Sequence, residues 1–181
     1  AGKVETTVAN TRAGSVAACR RAKIATPAAG RIDRLPVKKG QRVKAGELLL
    51  ELWNDDVTAR EKLARQQLET ARNRIAEACQ LAVAAQSEAR QARQLRERGF
   101  VSEERVVRAE AQARSSQATC ESARTQAKEC EARIAAASAD TQRTILRAPF
   151  DGIVAEINGE LGEYVTPSPP GIPTLPTVDL I

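Results

Sequence analysis

The sequence predicts an α+β fold in which a long antiparallel α-helical coiled-coil hairpin is inserted between the two halves of a small β-sandwich. Two observations lead to this prediction. The first is a repeat, because the prolines, glycines and apolar residues of 26–43 recur 122 positions later in 148–165. The second is the stretch between Glu47 and Ala148, which contains no proline and a single glycine, Gly99, as expected of long helices interrupted once.

The two repeats are predicted to be two halves of one sandwich. Each flank has short, alternating apolar runs bounded by glycine and proline, such as RIDRLPV, ELLLELW, GIVAEI and EYVTP, which are typical of strands joined by tight turns. Neither flank alone has enough apolar residues for a core, so we expect the halves to close on each other. We expect equivalent turns, in which a Cβ atom is not tolerated, at Gly30, Gly40, Gly152 and Gly162.

This interpretation divides the chain into four parts. They are an N-terminal strand segment (1–22), the first half of the sandwich domain (23–53), the helical hairpin with its apex near Gly99 (54–143) and the second half (144–181). The second half contains the segment PSPPGIPTLP, which predicts a stiff, extended loop before a last strand, TVDLI.

The hairpin is predicted from two heptad seams that match each other. Small and apolar residues recur in alternating steps of three and four from Leu68 to Ala92, and again from Val106 to Ala137. If the chain folds back at Gly99, position 92 faces 106, 85 faces 113 and 68 faces 130, so that facing numbers always add to 198. Helices of about 43 residues would project on the order of 65 Å. A seam built mostly of alanine buries little area per layer, so it is weakly held.

The apex sequence RERGFVSEERVV contains the signals for ending one helix and starting another. Gly99 can adopt the left-handed conformation that terminates the first helix. Ser102 is a good N-cap for the second helix, and Val101 and Val106 stand at the two positions of a hydrophobic staple. These roles leave Phe100 unexplained.

Apolar side chains at the exposed apex indicate a small docking patch. Leu95 lies one residue off the main seam, and neither it nor Phe100 is required by the capping signals. Arginine and glutamate side chains surround both residues, as in the polar rim of a protein interface. One tip offers little area, so useful affinity would come from several copies that engage one partner together.

Composition excludes several classes of function. Aromatic residues make up only 2% of the chain, and 28 basic residues are interleaved with 23 acidic ones, which predicts solvated helix faces and no nucleic-acid partner. The chain has no histidine and no methionine, which removes His-based catalysis and most transition-metal sites. We therefore expect no enzymatic activity and no cofactor. No apolar run approaches the ~20 residues that span a bilayer.

Two interpretations of the cysteines remain open. Cys120 and Cys130 lie on the predicted seam, where a small buried thiol is an ordinary core residue. Cys79 lies one residue past the layer that faces Cys120, so a Cys79–Cys120 disulfide is also geometrically conceivable. No CxxC motif or paired base accompanies them, which argues against catalytic or metal-binding roles.

The half-motif ATPAAGRIDRLPVKKGQRVKAGELLLEL, the long hairpin and the second half-motif LRAPFDGIVAEINGELGEYV together resemble a known family. The chain is similar to the periplasmic adaptor subunits, or membrane fusion proteins (HlyD-like family), of Gram-negative tripartite efflux and type I secretion systems. The paired halves resemble the split biotinyl/lipoyl-like domain of that family. On this resemblance, residues 1–22 would be a remnant of an adjoining β-barrel domain.

The resemblance implies a mechanical function in the periplasm, in association with the inner membrane. The implied partners are an inner-membrane transporter of the RND or ABC type, an outer-membrane channel protein and further copies of the chain, as a hexamer or a trimer of dimers. The implied channel-docking tip comprises Arg90, Arg93, Leu95, Arg98, Gly99, Phe100, Val101, Ser102 and Glu103. Leu95 and Ser102 keep the spacing of the family's tip motif, but Gln91 stands where that motif has arginine.

Two other functions are compatible with parts of the sequence. A structural coiled-coil spacer without a role in transport would need only the hairpin. A lipoyl or biotinyl carrier domain would present a modifiable lysine in a turn between its two halves. The hairpin occupies that place in this chain, so the sequence argues against a carrier.

Overall fold

The computed structural model describes residues 20–167 and 175–181, in which two long antiparallel helices project from a sandwich of eight strands. The α+β fold predicted from the sequence is confirmed. Most of the predicted N-terminal strand segment (1–19) and most of the proline-rich loop (168–174) lie outside the described residues. The elements are β1 (Ala22–Ile24), β2 (Gly30–Arg34), β3 (Arg42–Val43), β4 (Leu48–Leu52), α1 (Asp55–Glu97), α2 (Glu103–Arg143), β5 (Ile145–Arg147), β6 (Gly152–Ile157), β7 (Tyr164–Val165) and β8 (Val178–Leu180).

The strands form two four-stranded antiparallel sheets that are related by the sequence repeat. One sheet has the order β1-β8-β6-β3 and the other has the order β5-β4-β2-β7. Each strand of the first half has a counterpart in the second, β1 with β5, β2 with β6, β3 with β7 and β4 with β8. Exchanging every strand for its counterpart turns the strand order of the first sheet into that of the second. The repeat in the sequence therefore corresponds to an internal pseudo-two-fold symmetry of the sandwich.

The turns that precede β3 and β7 follow this symmetry closely. The Gly40 N–H donates to the Val154 carbonyl at 2.7 Å, and the equivalent Gly162 N–H donates to the Ile32 carbonyl at 2.9 Å. Gly40 has φ of +82° and Gly162 has φ of +88°, a conformation that residues with a Cβ atom rarely adopt. These two glycines thus occupy equivalent turns.

The core between the sheets is aliphatic and is shared by both halves. Its most deeply buried apolar side chains are Ile32, Val43, Leu49, Leu50 and Leu52 from the first half, and Val154, Val178 and Leu180 from the second. Phe150 packs against the edge of this cluster. Because each half supplies only part of the apolar surface that is removed from water, the core requires both halves.

For Gly30 and Gly152, the prediction of turns is wrong. Both glycines are the first residue of a strand, β2 and β6, and neither has a positive φ. Their surroundings also differ. A Cβ atom on Gly152 would lie 2.5 Å from the carbonyl oxygen of Ile181, whereas a Cβ atom on Gly30 would meet the Leu52 side chain at an ordinary 3.4 Å.

The two positions differ because the chain enters the hairpin directly after β4. Following β8, Ile181 and Ile153 exchange two backbone hydrogen bonds, of 2.7 and 3.0 Å, so the two backbones stay close together. Following β4, the Trp53 N–H donates to the Arg31 carbonyl at 2.8 Å, and the chain then turns into α1. The start of the hairpin therefore leaves space in one half that the other half lacks.

We expect Gly152→Ala to destabilise the sandwich clearly more than Gly30→Ala, which serves as the matched control. Overpacking costs about 1–3 kcal/mol, and the obstructing atom is a backbone oxygen that cannot rotate away. In a chain of this size, each kcal/mol lowers the melting temperature by roughly 2–4 °C. Thermal melts of the two variants measure the difference. Equal melting temperatures would contradict this expectation, because they would mean that the end of β8 moves away from the new Cβ atom at no cost in free energy.

The helices pack along the seam that the heptads predict. Every predicted seam residue of α1 from Leu68 to Ala92, and of α2 from Val106 to Ala137, is buried or half-buried. The apolar side chains form a tip cluster (Ala85, Ala89, Ala92, Val101, Val106, Ala109, Ala113) and a base cluster (Leu68, Ala71, Ile75, Ala127, Cys130, Ile134). Neither α1 nor α2 combines the length with the apolar character that crossing a membrane requires.

A disulfide joins the two helices between these clusters. Cys79 of α1 is bonded to Cys120 of α2, and their Cα atoms are 4.7 Å apart. The sequence left open whether this pair forms a disulfide or whether Cys120 is an ordinary buried thiol, and in the structure the two cysteines form a disulfide. Cys130, in contrast, is a free, half-buried thiol of the base cluster. The covalent link therefore lies between the tip cluster and the base cluster, where the seam residues are small.

Both ends of the hairpin are tied to the sandwich at one place. The Asn54 side chain, just before α1, donates to Thr144 Oγ1 at 3.1 Å and to Glu51 Oε1 at 3.2 Å. The Leu52 N–H donates to the Thr144 carbonyl at 2.8 Å. These bonds connect the residues before α1 with the residue after α2, so the two ends of the hairpin are held together at the edge of the sandwich.

Asp179 in β8 is a buried carboxylate that is paired with an arginine. Nε and Nη2 of Arg21 both donate to it, at distances between 2.5 and 3.1 Å. The hydrogen bonds from Arg21 hold the pKa of Asp179 below its ordinary value. A carboxyl group whose pKa is lowered by folding adds stability above its unfolded pKa, which is about 3.9. That stability is lost as the pH falls through the pKa that Asp179 has in the folded protein.

We expect Asp179→Asn to lower the melting temperature near pH 7, and the difference from the wild type should shrink as the pH falls below about 3.9 and through the lowered folded-state pKa of Asp179. Melts of both proteins across this range isolate the contribution of Asp179, because all other groups titrate in both. Arg21→Gln should show the same dependence on pH. A difference that is equally large at both ends of the range would contradict the role of this ion pair.

Candidate docking surface at the hairpin tip

The turn at the hairpin tip is closed by the end of α1. Gly99 has φ of +78°, and its N–H donates to the Arg96 carbonyl at 2.8 Å. The Phe100 N–H reaches further back and donates to the Leu95 carbonyl at 2.9 Å. This pair of bonds is a Schellman motif, which satisfies carbonyls that the end of a helix would otherwise leave free.

The start of α2 is capped by its own side chains. Ser102 has an extended backbone conformation, and its Oγ accepts a hydrogen bond from the Arg105 N–H at 3.3 Å. Val101 packs against the cluster that contains Val106, which completes the hydrophobic staple. Glu103 follows in the first turn, where a negative charge is favourable next to the helix dipole. The tip is thus a well-defined turn.

Ion pairs bridge the two helices close to the turn. Arg96 pairs with Glu103 at 2.9 Å, and Arg93 pairs with Glu110 at 2.7 Å. These pairs are at least partly exposed, so each adds little stability. Among the residues that the structure describes, no ion pair involves either of two other arginines, Arg90 and Arg98. Their guanidinium groups are available to a partner.

Leu95 and Phe100 are the apolar part of the surface. Phe100 is 74% exposed and Leu95 is 42% exposed. In a Schellman motif these two residues occupy the positions whose side chains frequently touch, so the motif gives a structural reason for both residues to be apolar. Sequence reasoning missed this reason, although a leucine four residues before the glycine and an apolar residue after it are its signal. The motif does not require a ring as large as that of phenylalanine.

Sequence reasoning also missed Val107, an exposed apolar residue of α2 close to the tip. Val107 lines a shallow groove together with Arg93, Arg96, Glu103 and Glu110. It lies outside the heptad seam, so the seam gave no signal for it. It widens the apolar surface on the α2 side of the tip.

The residues that the sequence predicted for docking lie together at this end of the hairpin. Arg90, Arg93 and Leu95 are in the last turns of α1, Arg98 to Ser102 form the turn, and Glu103 begins α2. The predicted glycines of the sandwich and the Cys79–Cys120 disulfide lie elsewhere. In the described parts of the chain, no group of three or more acidic or cysteine side chains is arranged to hold a metal ion. The tip offers apolar contact, two unpaired cations and hydrogen-bond donors.

A family model described as the CzcB-like barrel-sandwich hybrid domain matches residues 20–169. Among solved structures, MacA from Actinobacillus actinomycetemcomitans is similar, with 21% identity and a TM-score of 0.74 over 88% of this chain and 48% of that one. The membrane fusion protein Spr0693 from Streptococcus pneumoniae R6 has 20% identity and a TM-score of 0.56 over 83% of this chain and 56% of that one.

The soluble domain of LipC, a membrane fusion protein of a type I secretion system, has 14% identity and a TM-score of 0.52 over 81% of this chain and 96% of that one. No curated protein sequence matches the chain. The chain spans about half the length of the MacA and Spr0693 chains. At these identities, the three structures show a shared fold.

Proposed function

The chain belongs to the family of CzcB-like barrel-sandwich hybrid domains, and from this premise we propose that it is a non-enzymatic periplasmic adaptor. In this function it links an inner-membrane transporter to an outer-membrane channel for efflux or secretion. It acts as a rigid connector and carries out no chemistry itself.

The observation that most supports this proposal is the long hairpin with its structured, partly apolar tip. Helices of 43 and 41 residues extend on the order of 60 Å from the sandwich. Their far end is a capped turn that exposes Leu95 and Phe100 beside unpaired arginines. A distant apolar surface with a charged rim has the composition of a protein-docking site.

Two relatives support a role in transport. Spr0693 and LipC are membrane fusion proteins, and LipC belongs to a type I secretion system. From them we carry over the role of a membrane fusion protein. The link to an outer-membrane channel and the location in the periplasm next to the inner membrane come from the resemblance of the sequence. The transporter at the base would be of the RND or ABC type.

The face of the tip that would meet the channel is defined by helix spacing. Gln91 and Leu95 are four residues apart on one face of α1, and Arg98 follows in the turn, three residues beyond Leu95. Gln91 stands where the family's tip motif has arginine, and Arg98 forms no ion pair within the described residues. We therefore assign to Arg98 the charged contact that the neutral Gln91 cannot make.

Several copies would have to act together. A single tip presents a few side chains, far less than the ~800 Å² per partner of a typical stable interface. If six copies surround one channel, as a hexamer or a trimer of dimers, their linked contacts raise the effective affinity by orders of magnitude. Self-association is therefore part of the proposed function.

The carrier alternative has no support in the fold. A carrier would present its modified lysine in the connection between β4 and β5, and in this chain that connection is the whole hairpin, Asp55–Arg143. The spacer alternative shares the fold but needs no partner at the tip. The adaptor and the spacer thus differ in whether the hairpin tip contacts a partner protein.

Site-specific photo-crosslinking tests the proposal. A photoreactive phenylalanine analogue replaces Phe100 in the protein expressed in its own cells, and crosslinked products are identified by mass spectrometry. We expect a crosslink to an outer-membrane channel protein. The same analogue at Leu63, which is also apolar and exposed (59%, compared with 74% for Phe100) but lies near the hairpin base, is the matched control. Absence of channel adducts at position 100, or equal adducts at both positions, would refute docking through the tip.

A further inference from the structure

The pseudo-two-fold symmetry creates two equivalent grooves on the surface of the sandwich. One is lined by Gly30, Arg31, Trp53 and Tyr164, and the other by Gly152, Ile153, Ile181 and Arg42. Gly30, Arg31 and Tyr164 correspond to Gly152, Ile153 and Arg42 under the repeat, and Trp53 and Ile181 are the residues that follow the equivalent strands β4 and β8. Each groove lies beside the turn that leads into an edge strand, β7 in the first case and β3 in the second.

The turns beside the two grooves have the same backbone and opposite charge. In the turn before β3, the Lys38 N–H donates to Gln41 Oε1 at 3.0 Å, and in the turn before β7, the Glu160 N–H donates to Glu163 Oε2 at 2.9 Å. The first turn carries the sequence KKGQ and the second carries ELGE. We call them the basic turn (38–41) and the acidic turn (160–163).

Further charges strengthen this contrast. Arg42 and Lys44 follow the basic turn and are exposed. Within residues 20–167 and 175–181, neither these two cations nor Lys38 and Lys39 form an ion pair. The same holds for Glu160 and Glu163. Four unpaired cations therefore lie in and after the basic turn, where the groove also contains Glu47 and Asp151. Two unpaired carboxylates lie in the acidic turn, and the groove beside it also contains Arg31.

The acidic side also has an apolar centre. Leu161 is 69% exposed and Tyr164 is 67% exposed, and the half-exposed indole of Trp53 lies in the same groove as Tyr164. Three of the four aromatic residues of the chain, Trp53, Phe100 and Tyr164, are thus on the surface. Tryptophan and tyrosine are the residue types that most often dominate binding energy at protein interfaces.

We propose that the basic turn of one copy docks onto the acidic turn and the neighbouring Trp53–Tyr164 groove of a second copy. The charges of the two surfaces are complementary, and both surfaces are present on every copy. The aliphatic stems of Lys38, Lys39 and Arg42 pack on the aromatic groove, while their charged ends reach Glu160 and Glu163. The inference deepens the proposed function, because it assigns an interface to the self-association on which the adaptor relies.

Such a contact is head-to-tail, since different surfaces of the two copies meet. A head-to-tail contact leaves one free basic turn and one free acidic turn at the ends of any short assembly, and it becomes saturated only when a ring closes. Like charges would meet if two copies approached each other through the same turn, so the charge difference between the halves disfavours that pairing.

The repeat itself supplies the variants that test this interface. Lys38→Glu, Lys39→Leu and Gln41→Glu together give a chain with two acidic turns. Glu160→Lys, Leu161→Lys and Glu163→Gln together give a chain with two basic turns. Each substitution places in one turn the residue that the equivalent turn already carries, so the backbone hydrogen bonds are kept. Thermal melts verify that both variants fold.

Sedimentation of the full chain at low salt is the measurement. We expect the wild type to self-associate and each variant alone to associate on the order of tenfold or more weakly, because like charges then face each other. An equimolar mixture of the two variants should recover the lost association, and added salt should weaken both the wild type and the mixture. Lys62→Glu with Lys128→Glu, two exposed lysines of the hairpin, is the matched control and should behave like the wild type.

The outcomes separate this interface from self-assembly in general. If the wild type associates and the variants associate equally well, the proposed self-assembly stands and this interface is wrong. If both variants lose association but the mixture does not regain it, the turns do not meet each other and the interface is again wrong. If the wild type remains monomeric throughout, the interface and the self-assembly both fail.

Discussion

Leu95→Asp and Phe100→Asp are each expected to abolish export in cells while leaving helicity and melting temperature nearly unchanged. Phe100 is largely exposed and Leu95 is 42% exposed in the free protein, so a carboxylate at either position can reach water, and its cost to folding is limited to the Schellman contact between the two side chains. In a docked interface, the same carboxylate would be buried without a partner, which costs several kcal/mol. Because several tips engage one channel together, this penalty is repeated in every copy.

Two further variants distinguish a loss of docking from a general effect of the substitution or of a loosened turn. Leu63→Asp places the same change on an exposed leucine near the hairpin base and should leave export intact. Ser102→Ala removes the cap of α2 and costs about 1 kcal/mol, so it measures how far a loosened turn alone impairs export. If the Asp variants at both tip positions still support full export, the tip is only a turn. The spacer hypothesis would then be favoured, or the partner would contact the sides of the hairpin.

Cys79→Ala combined with Cys120→Ala is expected to lower the free energy of unfolding of the hairpin by about 3–4 kcal/mol. The disulfide spans a sequence separation of 41 residues, and closing a loop of that length removes a corresponding amount of entropy from the unfolded chain. The loss should be felt most at the tip cluster, because the seam beside the disulfide is built of small residues. Hydrogen exchange should therefore accelerate first between residues 85 and 113.

Cys130→Ala is the control for this experiment, because it removes a thiol from the same helix without removing a cross-link. Wild-type protein treated with a reductant should reproduce the double variant. The expected contribution of the disulfide would be refuted if the reduced and oxidised proteins had the same melting temperature and the same exchange rates. In that case the alanine seam would hold the register by itself.

The elements that the sequence predicted well are those with local signals. Glycine and proline mark the strand ends, the heptad spacing marks the seam, and the constant sum of 198 fixes which layers of α1 and α2 face each other. The capping of the tip followed in the same way from Gly99 and Ser102, because a cap involves only a few neighbouring residues.

The elements that the sequence did not predict depend on contacts between distant segments. Gly30 and Gly152 look equivalent in the repeat, yet only the latter faces a backbone oxygen, because the chain follows different paths after β4 and β8. The groove shared by Trp53 and Tyr164 brings together residues that are 111 positions apart. Periodicity cannot reveal such neighbours, since it reports one element at a time.

The insertion of the hairpin between β4 and β5 sets the order in which the protein folds. These strands pair through residues as far apart as Leu48 and Arg147, so the pairing cannot form until the intervening chain brings its ends together. An unstructured segment of that length would impose a large entropy of loop closure. The contacts within each helix are local, so we expect the helices to form first and to bring the ends of the segment together before the strands meet. We therefore expect the sandwich to fold last, so that a newly made chain exposes unpaired strand edges until the hairpin is complete.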